Sequence, residues 1–256
     1  MKTKKEIIVN QLKLRLLQIA EKTHSRHVHI GSCLSCFEIL YETLLYQMQP
    51  QDKFILSKGH AALALYVFLD YQKKISKTVL DTYLQNGSAL GIHPSSSFPK
   101  EIPLATGSLG HGLSFACGLT KGYILQRKKP LPTVYCLMSD GECNEGSVWE
   151  AAQFATQYRL SNLVAIIDKN ALQAFGRTKD VLGEAAAKDK WLAFGFNVFE
   201  CDGHSLADLE RAFKKIYRQT NKRPSLIIAN TVRGKGIRAI EGKLLSNYVP
   251  VTANML

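Results

Sequence analysis

The run TVYCLMSDGECNEG, residues 133–146, decides how this chain folds, and LVAIIDKN, residues 163–170, repeats its logic. Each opens with an uninterrupted apolar, β-prone segment and then turns polar at once. Thr133 to Met138 gives way to Ser139-Asp140-Gly141, and Leu163 to Ile167 gives way to Asp168-Lys169-Asn170. A short apolar run cut off in this way fits a strand buried on both faces. Between the two, Glu145 to Arg159 sets Val148, Ala152 and Ala155 on one helical stripe. Strand, helix and strand in succession imply a right-handed crossover between parallel neighbours.

Working outward, Val198 to Glu200 and Ser225 to Val232 read as further strands, with a helix over Ser205 to Arg218 opened by a serine cap. Toward the N-terminus, Ile8, Leu12, Leu16 and Ile19 predict a helix over residues 5–22. A second helix is expected from Leu34 to Gln47, capped by Ser32 or Ser35, and another over Leu109 to Gln126; residues 95–105 read as a loop. The expected fold class is α/β, a mostly parallel sheet flanked by helices, with residues 1–256 as a single domain.

In such a sheet ligands sit at the carboxyl ends of the strands. The chain turns polar or glycine-rich at four such places: Ser139-Asp140-Gly141, Asp168-Lys169-Asn170, Asp202-Gly203-His204 and Arg233-Gly234-Lys235-Gly236. Asp140 and Asn170 lie 30 positions apart, the room that one helix and one strand require. Their side chains should leave neighbouring strand ends and face one crevice. A carboxylate and an amide oxygen suit Mg²⁺, which completes its octahedron with phosphate oxygens and water. Gly141 lets backbone approach an anion, and the helix beginning near Glu145 adds its positive end.

The surrounding blocks narrow this chemistry. Ser139-Asp140-Gly141 followed by Lys169-Asn170 is similar to the Gly-Asp-Gly…Asn-Asn signature of thiamine diphosphate enzymes. Ser57-Lys58-Gly59-His60, Thr106-Gly107-Ser108-Leu109-Gly110-His111-Gly112, Asp140-Gly141-Glu142-Cys143-Asn144-Glu145-Gly146 and Asp168-Lys169-Asn170-Ala171-Leu172-Gln173 resemble successive motifs of the transketolase family. So do His29-Ile30-Gly31, Ile92-His93-Pro94, Asp202-Gly203-His204 and Gly234-Lys235-Gly236. The eight blocks stand in family order from about residue 15 to residue 240.

The resemblance implies a thiamine diphosphate-binding fold and a set of roles. Asp140, Asn170 and the backbone carbonyl of Leu172 would hold Mg²⁺. His60, Gly107, Ser108, Leu109, Gly141, Glu142, Glu145 and Asn170 would contact thiamine diphosphate. His29, His60 and His93 would bind sugar hydroxyls and relay protons as catalytic residues. It further implies a C-terminal subunit carrying the pyrimidine-binding domain, an α2β2 heterotetramer, and transfer of a two-carbon ketol unit from a ketose or its phosphate to an aldose. Another acyloin-forming thiamine diphosphate enzyme of specialised sugar biosynthesis, or a non-catalytic partner subunit, are the alternatives. Two departures stand out: Ser139 replaces the first glycine of the signature, and Asn247 stands where the family often carries a histidine.

The rest of the chain sets limits. A formal charge of +12 invites a nucleic-acid reading, but the Lys and Arg residues are scattered and interleave with no aromatic motif. Six cysteines without framework spacing read as buried thiols, and the lone Cys33-Leu34-Ser35-Cys36 pair has no second ligand pair to make a zinc site. The charged start and the short apolar stretch Ala61 to Leu69 fit neither a signal peptide nor a membrane span, so a cytoplasmic protein is expected. His24, His27 and His204 read as surface or structural histidines.

Overall fold

The computed structural model describes residues 3–24 and 28–255, so His27 lies outside the described residues. Five parallel strands form the sheet: β1 (Lys53–Leu56), β2 (Val134–Ser139), β3 (Leu163–Lys169), β6 (Asn197–Asp202) and β7 (Ser225–Asn230). Their spatial order is β1-β2-β3-β7-β6. A small antiparallel hairpin, β4 (Leu172–Gln173) with β5 (Gly176–Arg177), leaves the end of β3. Registers pair Ser139 with Asp168, Asp168 with Ala229 and Cys201 with Ala229, so four strands end level on one edge.

Alternation along β3 splits the core in two. Val164 and Ile166 pack on one face with Leu209, Ala212, Phe213 and Ile216 of helix α10 (Leu206–Tyr217). Leu163, Ala165 and Ile167 pack on the other with Val148, Ala152 and Ala155 of α7 (Gly146–Gln157) and with Trp191 of α9 (Lys188–Ala193). Only the step from β6 to β7 runs backward across the sheet. A right-handed crossover there must place its helix on the opposite face, which is where α10 lies.

Helix α1 (Lys4–Lys22) and α6 (His111–Leu125) form where the spacing predicts them, and Ser205 caps α10 by accepting from the Asp208 amide. The expected helix over Leu34 to Gln47 is broken instead. α2 (Ile30–Ser35) stops at Cys36, whose φ of −99° and ψ of 10° leave the helical region, and α3 (Phe37–Glu42) runs on into a wide turn over Thr43–Gln47. Ser32 and Ser35 cap nothing. They lie inside α2, and Ser35 Oγ donates to the Asp168 carboxylate at 2.5 Å, tying this helix to the sheet edge. Several elements escaped the sequence reading, β1 and α4 the most consequential among them. β1 is four residues long, and α4 (Ala62–Tyr71) is buried around nearly its whole circumference. Short helices α5 (Lys77–Asp81) and α8 (Thr178–Leu182) follow α4 and the hairpin respectively.

All six thiols are free. Burial raises that of Cys33 to about 11, the behaviour of a thiol packed in the core. Among the described residues no helix is long and apolar enough to cross a membrane.

Candidate active site

Asp140 continues directly from β2 and Asn170 from β3, and the paired registers bring the two segments side by side. Asp140 Oδ2 accepts from the Ala171 amide at 2.6 Å and from Thr178 Oγ1 at 3.2 Å, and its Oδ1 accepts from the Gly141 amide at 2.9 Å. Asn170 Oδ1 accepts from the Leu172 amide at 3.2 Å, while its Nδ2 donates to Asp168 Oδ2 at 3.4 Å. That second bond orients the amide so that its oxygen, not its nitrogen, faces the hairpin. Burial and then the negative Asp168 push the Asp140 carboxyl up to about 6. A proton on Asp140 therefore favours the fold at low pH, and that contribution is lost as pH rises through about 6. Above it the ionised carboxylate costs roughly 3 kcal/mol, which a bound cation would offset.

Asp168 is the floor of the site. It accepts from Lys58 Nζ, Ser35 Oγ and Thr231 Oγ1, gathering α2 and the ends of β1, β3 and β7 on one carboxylate. Burial alone would raise its pKa, but the Lys58 charge and these donors outweigh burial and hold it low. Lys58 and Asp168 are both fully buried, and Lys58 also donates to the Ser32 carbonyl at 3.3 Å.

The glycine-rich block forms the turn into α6. Gly110 has φ of +89°, and a Cβ there would lie 2.5 Å from Ser147 Oγ; a Cβ on Gly112 would lie 2.2 Å from Ser57 Oγ. Glu142, expected at the cofactor, turns inward. Its Oε1 accepts from Ser57 Oγ and from the Gly110 amide at 2.9 Å, and its Oε2 from the Ser139 amide at 3.2 Å. Ser108 is exposed and lies outside the cavity lining.

The serine that replaces a glycine in the signature has a local role. Ser139 Oγ accepts from the Glu142 amide at 3.3 Å while Glu142 accepts from the Ser139 amide, a reciprocal capping pair on the turn Gly141–Asn144. Ser139→Ala is expected to cost about 1 kcal/mol, lowering Tm by roughly 2–4 °C. Thermal denaturation with an unchanged midpoint would refute that role.

Above this floor opens a cavity of about 320 Å³. Its lining includes Gly107, Leu109, Gly141, Glu145, Asn170 and Leu172, together with His29, His60 and His93. The ring of His29 lies 5.8 Å from that of His60 and 6.1 Å from that of His93, with Tyr248 edge-on at 6.0 Å. Burial, followed by the Lys58 charge, drives His60 well below its ordinary pKa, and burial lowers His93. Both are neutral imidazoles near pH 7, able to donate at one nitrogen and accept at the other. Asn247 also lines the cavity; its Oδ1 accepts from the Ser32 amide at 2.8 Å and its Nδ2 donates to Ser32 Oγ at 2.9 Å. His204, by contrast, is structural: it accepts from the Val232 amide at 2.8 Å and meets Glu38 at 3.2 Å.

Sequence reasoning passed over Arg233. It is 4% exposed, borders the cavity, and donates to the carbonyls of Leu172 at 3.0 Å and Leu244 at 3.3 Å. A larger groove of about 670 Å³ lies between α1 and α10, where Lys5 pairs with Glu210 and His204 meets Glu38.

The residues present fit a divalent cation carrying a diphosphate. Asp140, Asn170 and the Leu172 carbonyl are hard oxygen donors. Among the described residues no three His, Cys, Asp or Glu side chains gather to hold a metal, so a cation here would take its remaining ligands from a bound phosphate or water. Two buried donors beside the cavity, Arg233 Nε and Gln173 Nε2, have no partner among the described residues. Such orphans call for an acceptor from outside.

Comparison with known proteins agrees. Residues 5–254 match the family model described as transketolase, thiamine diphosphate binding domain. The chain is 41% identical over 239 residues to one of the subunits of an apulose-4-phosphate transketolase of Phocaeicola vulgatus, covering 89% of this chain and 82% of that one. It is 36% identical over 237 residues to 6-deoxy-6-sulfo-D-fructose transketolase subunit SqwG of a Clostridium species, covering 89% and 85%. Against human transketolase the identity is 37% over 95% of this chain, which spans only 40% of the human protein. Among solved structures, transketolase from Campylobacter jejuni superposes with a TM-score of 0.79 at 26% identity, over 94% of this chain and 41% of that one. The parallel strand ends, the acid–amide pair and these matches lead to one conclusion: the chain belongs to the transketolase family and carries its thiamine diphosphate-binding domain.

Proposed function

We propose that this chain is the diphosphate-binding subunit of a two-component transketolase, which moves a two-carbon ketol unit from a ketose or its phosphate to an aldose. The observation that carries the reading is the convergence of Asp140 and Asn170 beside a cavity walled by three imidazoles. Asp140, Asn170 and the Leu172 carbonyl would hold Mg²⁺, and through it the diphosphate. Gly107, Leu109, Gly141 and Glu145 would line the cofactor; Ser108 and Glu142 would act only through the backbone of their turns. Bound thiamine diphosphate supplies a stabilised carbanion equivalent for making and breaking carbon–carbon bonds.

His29, His60 and His93 would bind the sugar hydroxyls. With His60 and His93 neutral near pH 7, each can take a hydroxyl proton and return it without first losing one to solvent. Relatives whose names make them single subunits of apulose-4-phosphate transketolases, matched over 82% and 80% of their length, support a second subunit. We place that subunit's pyrimidine-binding domain over the cavity, in an α2β2 assembly in the cytoplasm. Asn247 favours one variation on this reading. Its amide cannot shuttle a proton near neutral pH, so an acyloin-forming reaction on a specialised sugar is the second candidate.

The test is a calorimetric titration of thiamine diphosphate with Mg²⁺ in the presence of the second subunit. Saturable binding is expected at pH 8. Because Asp140 must be ionised to ligate, affinity should fall about tenfold per pH unit below about 6. Absence of binding at pH 8 ends the proposal.

A further inference from the structure

A second open groove, of about 360 Å³, lies beside the cofactor cavity between α7, the end of α8 and α9, and none of the roles above uses it. Its walls are the ring of Trp149 on α7 and that of Phe194 at the end of α9, with centroids 4.8 Å apart and planes tilted by 43°. Trp191, wholly buried, backs Trp149 at 5.0 Å, and Trp149 Nε1 donates to the Cys143 carbonyl at 2.8 Å. Packing and this bond together hold the aromatic corner in one arrangement.

Two polar groups flank the corner. Asn144 lines both this groove and the cofactor cavity, and its Oδ1 is buried with no partner among the described residues. Lys190 is exposed on α9; its neighbour Lys188 pairs with Glu200 at 3.4 Å, whereas Lys190 has no ion-pair partner among the described residues. A buried acceptor without a donor is costly. An inner acceptor, flat aromatic walls and a cation at the rim are the complement of one class of ligand. That class is a planar nitrogen heteroaromatic with an amino or N–H group at one end and an anion at the other. An apolar surface of another protein would cover the rings but leave the Asn144 oxygen without a donor.

We propose that this groove is a second ligand site, for an anion of the adenine-nucleotide class, separate from the cofactor cavity and joined to it through Asn144. The base stacks on Trp149 and Phe194, its amino group donates to Asn144 Oδ1, and its phosphate lies toward Lys190. Glu145, next in the chain, lines the cofactor cavity and is the N-cap residue of α7. Occupancy of the groove therefore steadies the turn from which one wall of the cavity rises. The site does not depend on the cofactor reading above.

Trp149 and Trp191 are the two tryptophans of the chain, so intrinsic fluorescence reports on this corner alone. With the full chain and no divalent ion, AMP should quench that fluorescence saturably, with a dissociation constant of about 1 mM or tighter. Phe194→Leu should weaken binding about 5-fold or more through lost stacking, and Asn144→Leu about 3–10-fold. Lys190→Gln should weaken AMP about 2–5-fold and leave adenosine, which lacks the phosphate, unchanged. Circular dichroism establishes that each variant is folded, and the exposed Lys190 substitution carries the test alone should another fail. Adding Mg²⁺ and inorganic pyrophosphate, directed to the cofactor cavity, should not displace AMP. Absence of saturable quenching, displacement by pyrophosphate, or equal effects of Lys190→Gln on AMP and adenosine overturns the proposal. So does a fluorescence change produced by the second subunit and not by AMP, which would make the groove a protein interface.

Discussion

Asn170→Ala should leave the chain folded and able to join its second subunit, while ketol-transfer activity of the complex falls below about 1% of normal. Only one side chain is shortened, and its neighbours stay in place because Asp140 still anchors the Ala171 amide and Thr178. On the proposed function, what disappears is one of two side-chain oxygens that would hold the cation. Substituting groups that merely orient metal ligands costs about 10–100-fold in affinity, so losing a ligand should cost at least as much. Asn170→Asp supplies the complement: it restores an oxygen, and activity should recover in part at raised Mg²⁺. The assay is ketol transfer by the reconstituted complex, with size-exclusion chromatography to follow assembly. Full activity in Asn170→Ala would show that this amide holds no essential ion.

The second large effect concerns composition rather than mutation. Alone, the chain should turn over a ketose donor at no measurable rate; once the second subunit is present, turnover should rise by at least about 10³-fold to the range of ordinary enzymes. The cavity brings three imidazoles beside the proposed cation site but is partly open, and human transketolase extends far beyond the region matched. Water must be kept from a carbanion equivalent, and a half-open cleft cannot do so. Titrating a fixed amount of this chain with the second subunit should give an activity plateau at equal amounts of the two. Steady turnover by the isolated chain would remove the two-component reading.

How much of this was legible in the sequence depended on whether partners were near in the chain. β2, β3 and β7 sit in the middle of the sheet, are buried on both faces, and so appear as unbroken apolar runs with polar ends. β6 is an edge strand, half-exposed along its length, and only its centre stood out. α4 offers no amphipathic period because it is surrounded by protein, and just before the break at Cys36 the partner of Ser35 is Asp168, 133 positions away. That Asp140 and Asn170 would be neighbours was readable because the strand–helix–strand spacing brings their strand ends side by side. The histidines needed the family resemblance, since nothing local marks them. Glu142 was misplaced because a carboxylate next to a signature looks like a ligand; only the fold shows Ser57, Gly110 and Ser139 converging on it. Arg233 was marked only by its place in a polar strand-end block; its own role was hidden because its partners are backbone carbonyls, which any sequence supplies.

The buried Lys58–Asp168 pair has an evolutionary corollary. Removing either partner alone strands a charge in the interior, at a cost of about 3–5 kcal/mol. Natural domains hold only about 5–15 kcal/mol in reserve. Most one-step paths away from this pair therefore pass through barely folded intermediates, so the two positions should drift together or stay fixed. Mutational libraries aimed at this enzyme will explore more by randomising positions 58 and 168 jointly than by scanning either one.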